Sequence, residues 1–324
     1  MSWFGSSKAV SSPVAPPVDV QSPRNFRAGS SFRHVDTITS GDNNDKQSRE
    51  EGSVKSDAFN NTWKPIPASE FSLRVGPNYN KTGTKAPSGP SLYELVGIDC
   101  IQSSLRIDDI GSKLQFPEDW KNAVSNHPHV PPVFIVNAQI PSNFDTSLFS
   151  FTEVTDGEGW SLVHYFRIRP EVARELLNVE TASPAVKLLA GYCKNAPSEQ
   201  NNSRSTWFGR FKLIIKCENI DEFGLPSFIT SYNGKPVLIR NTGNVMTRDN
   251  YAEMDINVHR FSSLPKEGLS TMMGRFDKMD ISTAFCIESR EDDEMPEVIL
   301  GCARLHRPDY KKAPHWTAMP LANA

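Results

Sequence analysis

The densest run of side chains able to move a proton or hold a polar ligand is Glu253, Asp255, Asn257 and His259, alternating with Ala252, Met254, Ile256 and Val258. Alternation with period two places the four polar residues on one face of a β-strand. A histidine in contact with a carboxylate can do general acid–base work. Residues two apart on a strand stand about 6.5–7 Å from one another, so His259 and Asp255 can converge only with help from an adjacent strand. The plainer reading makes this the solvated face of a half-buried sheet, its charges matched across strands by Arg210, Lys212 and Lys216. That solvated face is the expectation here.

Other candidates carry less. His127-Pro128-His129 has H-x-H spacing, but a proline-rich loop without a nearby Cys or acidic partner gives no fixed ligand geometry, and no metal is expected. His164 interrupts an apolar strand face and reads as a hydrogen-bonded core histidine. The cysteines (Cys100, Cys193, Cys217, Cys286 and Cys302) form no C-x-x-C pair and sit in or near apolar runs, as free core thiols do. Nucleophile-elbow, P-loop, dinucleotide-binding, zincin and kinase motifs are all absent, so neither a catalytic residue nor a cofactor is assigned. One basic cluster stands out: Arg304, Arg307, Lys311, Lys312 and Trp316, with His306, Tyr310 and His315 among them. Such residues could rest on anionic headgroups, each positive charge contributing about 1 kcal/mol near the surface. The alternative is an ordinary solvated tail.

The elements that must position these residues begin after a long leader. Residues 1–68 are rich in Ser, Pro, Asn, Asp and Arg and lack hydrophobic period, which predicts disorder. Within them, Trp3-Phe4 could anchor to a partner, and Ser12-Pro13 and Ser22-Pro23 could be phosphorylated. One domain is expected over 69–312, followed by a flexible tail at 313–324. Apolar runs at 133–140, 160–168, 208–217, 235–239, 251–259, 281–287 and 298–305 read as strands. Pro170, Ser183-Pro184 and Pro265 open helical patterns. Strands that follow one another through turns, with helices bunched in two places, predict an α+β fold: a mainly antiparallel sheet with a few helices covering one face.

The whole chain sets limits on partners. A net charge of −3 over 324 residues supplies no global field for nucleic acid, and none is expected as a partner. No apolar run approaches the ~20 residues of a membrane span, and the N-terminus lacks a secretory signal. The expected location is cytoplasmic, with peripheral membrane contact at most.

Blocks distributed over 71–308 resemble the C-terminal domain of the plant Enhanced Disease Resistance Two proteins. They are the stretch from Phe71 through Gly76 to Tyr79, the strand 92–99, the segment Val133-Phe134-Ile135-Val136-Asn137-Ala138-Gln139-Ile140-Pro141, and the strands 210–214 and 234–239. The most specific is 250–261, followed after a helix by 296–302. In plant relatives this domain often follows a phosphoinositide-binding pleckstrin-homology domain and a lipid-transfer START domain, in proteins associated with restraint of defence-linked cell death. The resemblance implies no catalytic residues, and this chain reads as a stand-alone domain without either companion. Polar positions within the matching blocks, namely Asn78, Asn137, Gln139, Arg210, Asp255, His259 and Arg260, are the implied ligand-binding candidates.

Three functions follow as expectations. The leading one is a non-enzymatic regulatory module that binds a lipid or lipid-bearing membrane. The others are a protein-interaction adaptor that uses the leader and the acidic turn 291–294, and a hydrolase-like enzyme built on His259, Glu253 and Asp255. A deep apolar cavity would favour lipid, and a flat apolar patch a protein partner. His259 meeting a carboxylate in a cleft would favour the enzyme.

Overall fold

The computed structural model describes residues 26–34, 60–121, 123–125, 127–144, 156–200 and 206–316. Trp3-Phe4 and the two Ser-Pro pairs lie outside the described residues. Two sheets make the framework. The strands are β1 (Phe26–Arg27), β2 (Arg33–His34), β3 (Thr62–Lys64), β4 (Ser72–Arg74), β5 (Lys85–Pro87), β6 (Tyr93–Ser103), β7 (Leu114–Gln115) and β8 (Val133–Pro141). They continue with β9 (Gly159–Ile168), β10 (Phe211–Cys217), β11 (Pro236–Leu238), β12 (Gly243–Thr247), β13 (Tyr251–Asn257), β14 (Asp280–Ile287) and β15 (Ile299–His306). The larger sheet runs β11-β10-β14-β15-β3-β2 and the smaller β12-β13-β8-β9-β6. Pairing is mostly antiparallel and the fold is α+β. The exception that matters for the site is β8 with β13, which run parallel at the centre of the smaller sheet.

The sheets pack face to face, and their facing side chains fill one apolar core. Phe134 and Phe166 from the smaller sheet meet Phe211 and Phe285 from the larger at ring-centroid distances of 6.2, 5.8 and 6.0 Å along the chain of contacts. His164 lies in this layer, its Nε2 2.9 Å from Thr283 Oγ1, and burial pushes its pKa down to about 3, so it stays neutral. All five cysteines are buried and free.

Three α-helices of more than four residues occur among the described residues: α1 (Pro170–Glu175), α2 (Pro184–Glu199) and α3 (Ser263–Met273). Pro170 and Pro184 occupy first-turn positions, where a missing N–H costs nothing. The α2 residues Val186, Leu189, Tyr192, Cys193 and Ala196 recur at helical spacing and enter the inter-sheet core. The helices thus join a core enclosed between two sheets, where a single sheet with helices on one face was expected.

Both ends of the domain extend further than the composition implied. Residues 26–34 of the leader are ordered on the domain, with Ala28 and Phe32 buried, and β3 takes an inner place in the larger sheet. At the other end, Trp316 is buried in a second cluster with Ile101, Ile110, Trp120 and Tyr165 on the outer face of the smaller sheet. Local composition could not reveal these placements, because each depends on apolar surface supplied by distant strands.

Candidate functional site

The polar alternation of β13 is buried against an irregular segment. Glu253 and Asp255 are 0% and 1% exposed, which overturns the solvated-face expectation. Arg210, Lys212 and Lys216 do not face them, since β10, with Arg210 immediately before it, belongs to the other sheet. Parallel register sets Asp255 opposite Asn137 and Asn257 opposite Gln139. This pairing lets Asn137 Nδ2 donate to Asp255 Oδ1 at 2.7 Å and to the carbonyl of Ile107 at 2.9 Å.

The carboxylates hold the turn that covers them. Asp109, Ile110 and Gly111 open a 3₁₀ turn whose first N–H groups have no intrahelical acceptor. Asp109 N donates to Asp255 Oδ2 at 3.1 Å, Ile110 N to Glu253 Oε1 at 2.8 Å, and Gly111 N to Glu253 Oε2 at 2.9 Å. Asp109 sits at φ +51° and is itself held by Arg248 Nη2 and the Tyr251 hydroxyl, each at 2.7 Å. Burial, reinforced by the neighbouring Asp255, raises the Glu253 pKa well above the carboxylate range, and burial lifts Asp255 to about 6.

Beside this network opens a polar cleft of about 380 Å³ lined by Arg106, Asp108, Gln200, Gly243, Asn244 and Arg260, among others, with Asp255 at its base. Its volume is at the small end of ligand pockets. Arg106 Nη1 reaches Asp108 Oδ1 at 3.0 Å and Gln139 Oε1 at 3.1 Å, while Gln139 Nε2 donates to Asp108 at 2.8 Å. A smaller recess adjoins through Arg106 and is lined by Ser103, Gln139, Trp160, Ser161 and His259. His259 stands in the 3₁₀ turn after β13 rather than on the strand. Burial keeps its imidazole below the ordinary pKa against the opposing pull of Asp156. Among the described residues nothing hydrogen-bonds its ring, and Glu253 and Asp255 are committed to the 109–111 turn. The convergence required for the hydrolase reading is not formed.

Of the seven implied ligand positions, five gather here: Asn137, Gln139, Asp255, His259 and Arg260. Asn78 and Arg210 lie elsewhere, both touching the turn Asp292–Glu294. Asn78 N donates to Asp292 Oδ1 at 2.9 Å, and Arg210 Nη1 reaches Glu294 at 2.7 Å. That region is a buried ion network in which Glu297 Oε1 accepts from Arg74, from Lys212 Nζ at 2.6 Å and from Ser289 N at 3.1 Å.

Much of the basic cluster is committed to the fold. Arg304 pairs with Glu70 and, at 2.9 Å, with Glu218. Trp316 is buried, Arg307 sits at φ +47°, and Lys312 pairs with Asp309 at 3.2 Å. Trp316 and Arg304 therefore do not form a membrane-facing surface. Lys311 and Lys312 are exposed, and the segment carrying them is tied to the cleft end of the smaller sheet. Tyr310 stacks on Trp160 at 5.2 Å, and Gln102 Nε2 donates to the carbonyls of Lys311 and Ala313.

Sequence reasoning missed Arg106, Asp108, Gln200 and Asn244. They come from irregular or terminal positions without periodicity; the polar run Arg106-Ile107-Asp108-Asp109 was the only local signal. Among the described residues no group of three or more His, Cys, Asp or Glu side chains could hold a metal ion. No helix among them is long and apolar enough to cross a membrane.

The raised Asp255 pKa gives a signed prediction. A carboxyl that titrates near 6 when folded and near 4 when unfolded adds stability below pH ~4, and that stability is lost as pH rises through 6. The cost of Asp255→Asn is thus expected to shrink between pH 4 and pH 7. Urea midpoints at the two pH values check this, and an unchanged difference would contradict it.

Residues 63–309 match the family model described as Protein ENHANCED DISEASE RESISTANCE 2, C-terminal. No curated protein and no solved structure matches the chain.

Proposed function

This chain belongs to the Enhanced Disease Resistance 2 C-terminal family, and from that premise we propose that it is a non-enzymatic module binding a phosphorylated, hydroxyl-rich headgroup, presented by a lipid at a membrane surface. The observation that carries the reading is the lining of the 380 Å³ cleft. Two guanidiniums, Arg106 and Arg260, suit a phosphate, while Asp108, Gln200, Asn244 and Asn257 offer acceptors and donors to hydroxyl groups. A second observation supports membrane presentation. The exposed Lys311 and Lys312 lie on the segment packed against Trp160 and Gln102, at the end of the sheet where the cleft opens. The stacked aromatics between the sheets leave that interior as packed core, so the reading concerns a headgroup and not a sequestered acyl chain.

The test has two arms: titration with soluble inositol phosphates, and co-sedimentation with phosphatidylcholine vesicles with or without phosphoinositides. Arg260 is exposed, so Arg260→Ala should fold normally. It is expected to weaken both arms by about tenfold, the scale of one charge-assisted contact. Lys311→Ala with Lys312→Ala should weaken the vesicle arm alone. Binding of soluble phosphates without vesicle binding would replace the lipid source with a free phosphate ester. Absence of saturable binding in both arms would overturn the reading.

A further inference from the structure

The leader segment 26–34 lies outside the 63–309 family match, yet it occupies a built groove whose walls lie mostly inside that match. The contacts are those of a bound peptide. Ala28 N donates to the carbonyl of Gln115 at 2.9 Å. Gly29 N and Ser31 N each donate to one oxygen of Asp99 at 2.7 Å, and Asp99 is 0% exposed. Ser31 Oγ accepts from Cys100 N at 2.8 Å, and the Phe32 carbonyl accepts from Trp63 Nε1 at 3.2 Å. The segment's ends add strands in parallel: Phe26–Arg27 beside Leu114–Gln115, and Arg33–His34 beside Thr62–Trp63.

The side chains are selected as closely as the backbone. Ala28 and Phe32 are buried, the first in the outer cluster and the second in the inter-sheet core. Gly29 has φ +76°, and a Cβ there would stand 3.1 Å from the Trp120 ring and 3.4 Å from Gly97 Cα. Gly97 forms the groove floor at a bulge in β6, and a Cβ on it would meet Trp120 at 2.9 Å and Gly29 Cα at 3.1 Å. Two glycines crossing beneath an indole leave no room for a side chain at either position.

We propose that this face of the domain is a linear-peptide groove that recognises the pattern small residue, Gly, any residue, Ser, Phe, and that the chain's own residues 28–32 are its resident ligand. Main-chain pairing supplies affinity and the side-chain sites supply selectivity, as in recognition by strand addition. Asp99 is the positioning residue, because a buried carboxylate needs the two segment N–H groups as much as they need it.

The test uses the full chain and a fluorescent peptide of residues 25–35. Phe32→Ala in the chain removes the main apolar anchor of the tethered segment and vacates the groove. The peptide is then expected to bind this variant about 100-fold or more tightly than wild type, whose groove is filled in cis at high effective concentration. A peptide carrying Gly29→Ala should lose that binding, as should the wild-type peptide when the chain also carries Asp99→Asn. Failure to bind Phe32→Ala that retains the wild-type circular dichroism would overturn the proposal. Equal binding of the Gly29→Ala peptide would do the same. Hydrogen exchange on the unaltered chain needs no variant: Gly29 and Ser31 amides are expected to exchange about 100-fold or more slowly than in the free peptide. Exchange at the free-peptide rate would sink the groove assignment by itself.

Discussion

Glu253→Ala is expected to lower stability by about 3–5 kcal/mol, since it strands two buried N–H groups and opens a void beneath them. Ile110 N and Gly111 N both end on this carboxylate, and Glu253 is fully buried. Alanine offers no acceptor, and water can replace it only if the 109–111 turn lifts. Thermal unfolding should fall by roughly 8–15 °C at the sensitivity usual for a domain of this size. Arg106 and Asp108 are carried on the same segment, so headgroup binding should fall with stability. A catalytic base would behave in the opposite way, with activity abolished and the melting temperature nearly unchanged. The pair of measurements separates a carboxylate that builds the cleft from one that works in it.

Phe211→Ala is the second large effect, at about 3–5 kcal/mol. Phe211 is 0% exposed and lies among Phe134 at 6.2 Å, Phe285 at 6.0 Å and Tyr192 at 6.2 Å. The ring therefore touches the smaller sheet, its own sheet and α2. Removing it deletes the central contact of all three, and rings held by their own backbones cannot collapse into the space. Phe211→Leu should restore most of the loss, leaving about 1–1.5 kcal/mol. Urea denaturation checks both variants, with the midpoint moving and the slope unchanged if the sheets unfold together. Faster exchange confined to β10 and its neighbours would show that the sheets open separately.

How much of this was readable in the sequence depended on whether the information was local. The strands β8, β9, β13, β14 and β15 and the helix starts at Pro170 and Pro184 were legible, because side-chain period and proline position act within a few residues. Five of the seven implied ligand positions reached one site because β8 and β13, which carry three of them and lead into the other two, are adjacent. Asn78 and Arg210 did not, since nothing local distinguishes a residue that meets a ligand from one that meets Asp292 or Glu294. The burial of Glu253 and Asp255 was illegible for a related reason. Alternation identifies two faces of a strand, but it does not say that residues 104–113, devoid of period, will fold over the polar one. Likewise Phe32 and Trp316 belong to no hydrophobic period in the sequence, and their burial is decided by grooves built from β3, β6 and β9.

The parallel pairing of β8 with β13 also fixes an order of assembly. Asn137 and Asp255 meet across a sequence separation of 118, and no hairpin can bring them together early. During synthesis β8 can find β9 soon after both emerge, but its other edge waits for β13, which begins 110 positions after β8 ends. Until then that edge is a row of unpaired amides and carbonyls beside apolar side chains, open to strand addition from any neighbouring nascent chain. The cleft exists only when its last strand arrives, so a chain halted before β13 should be found among aggregates and not as a weakened binder.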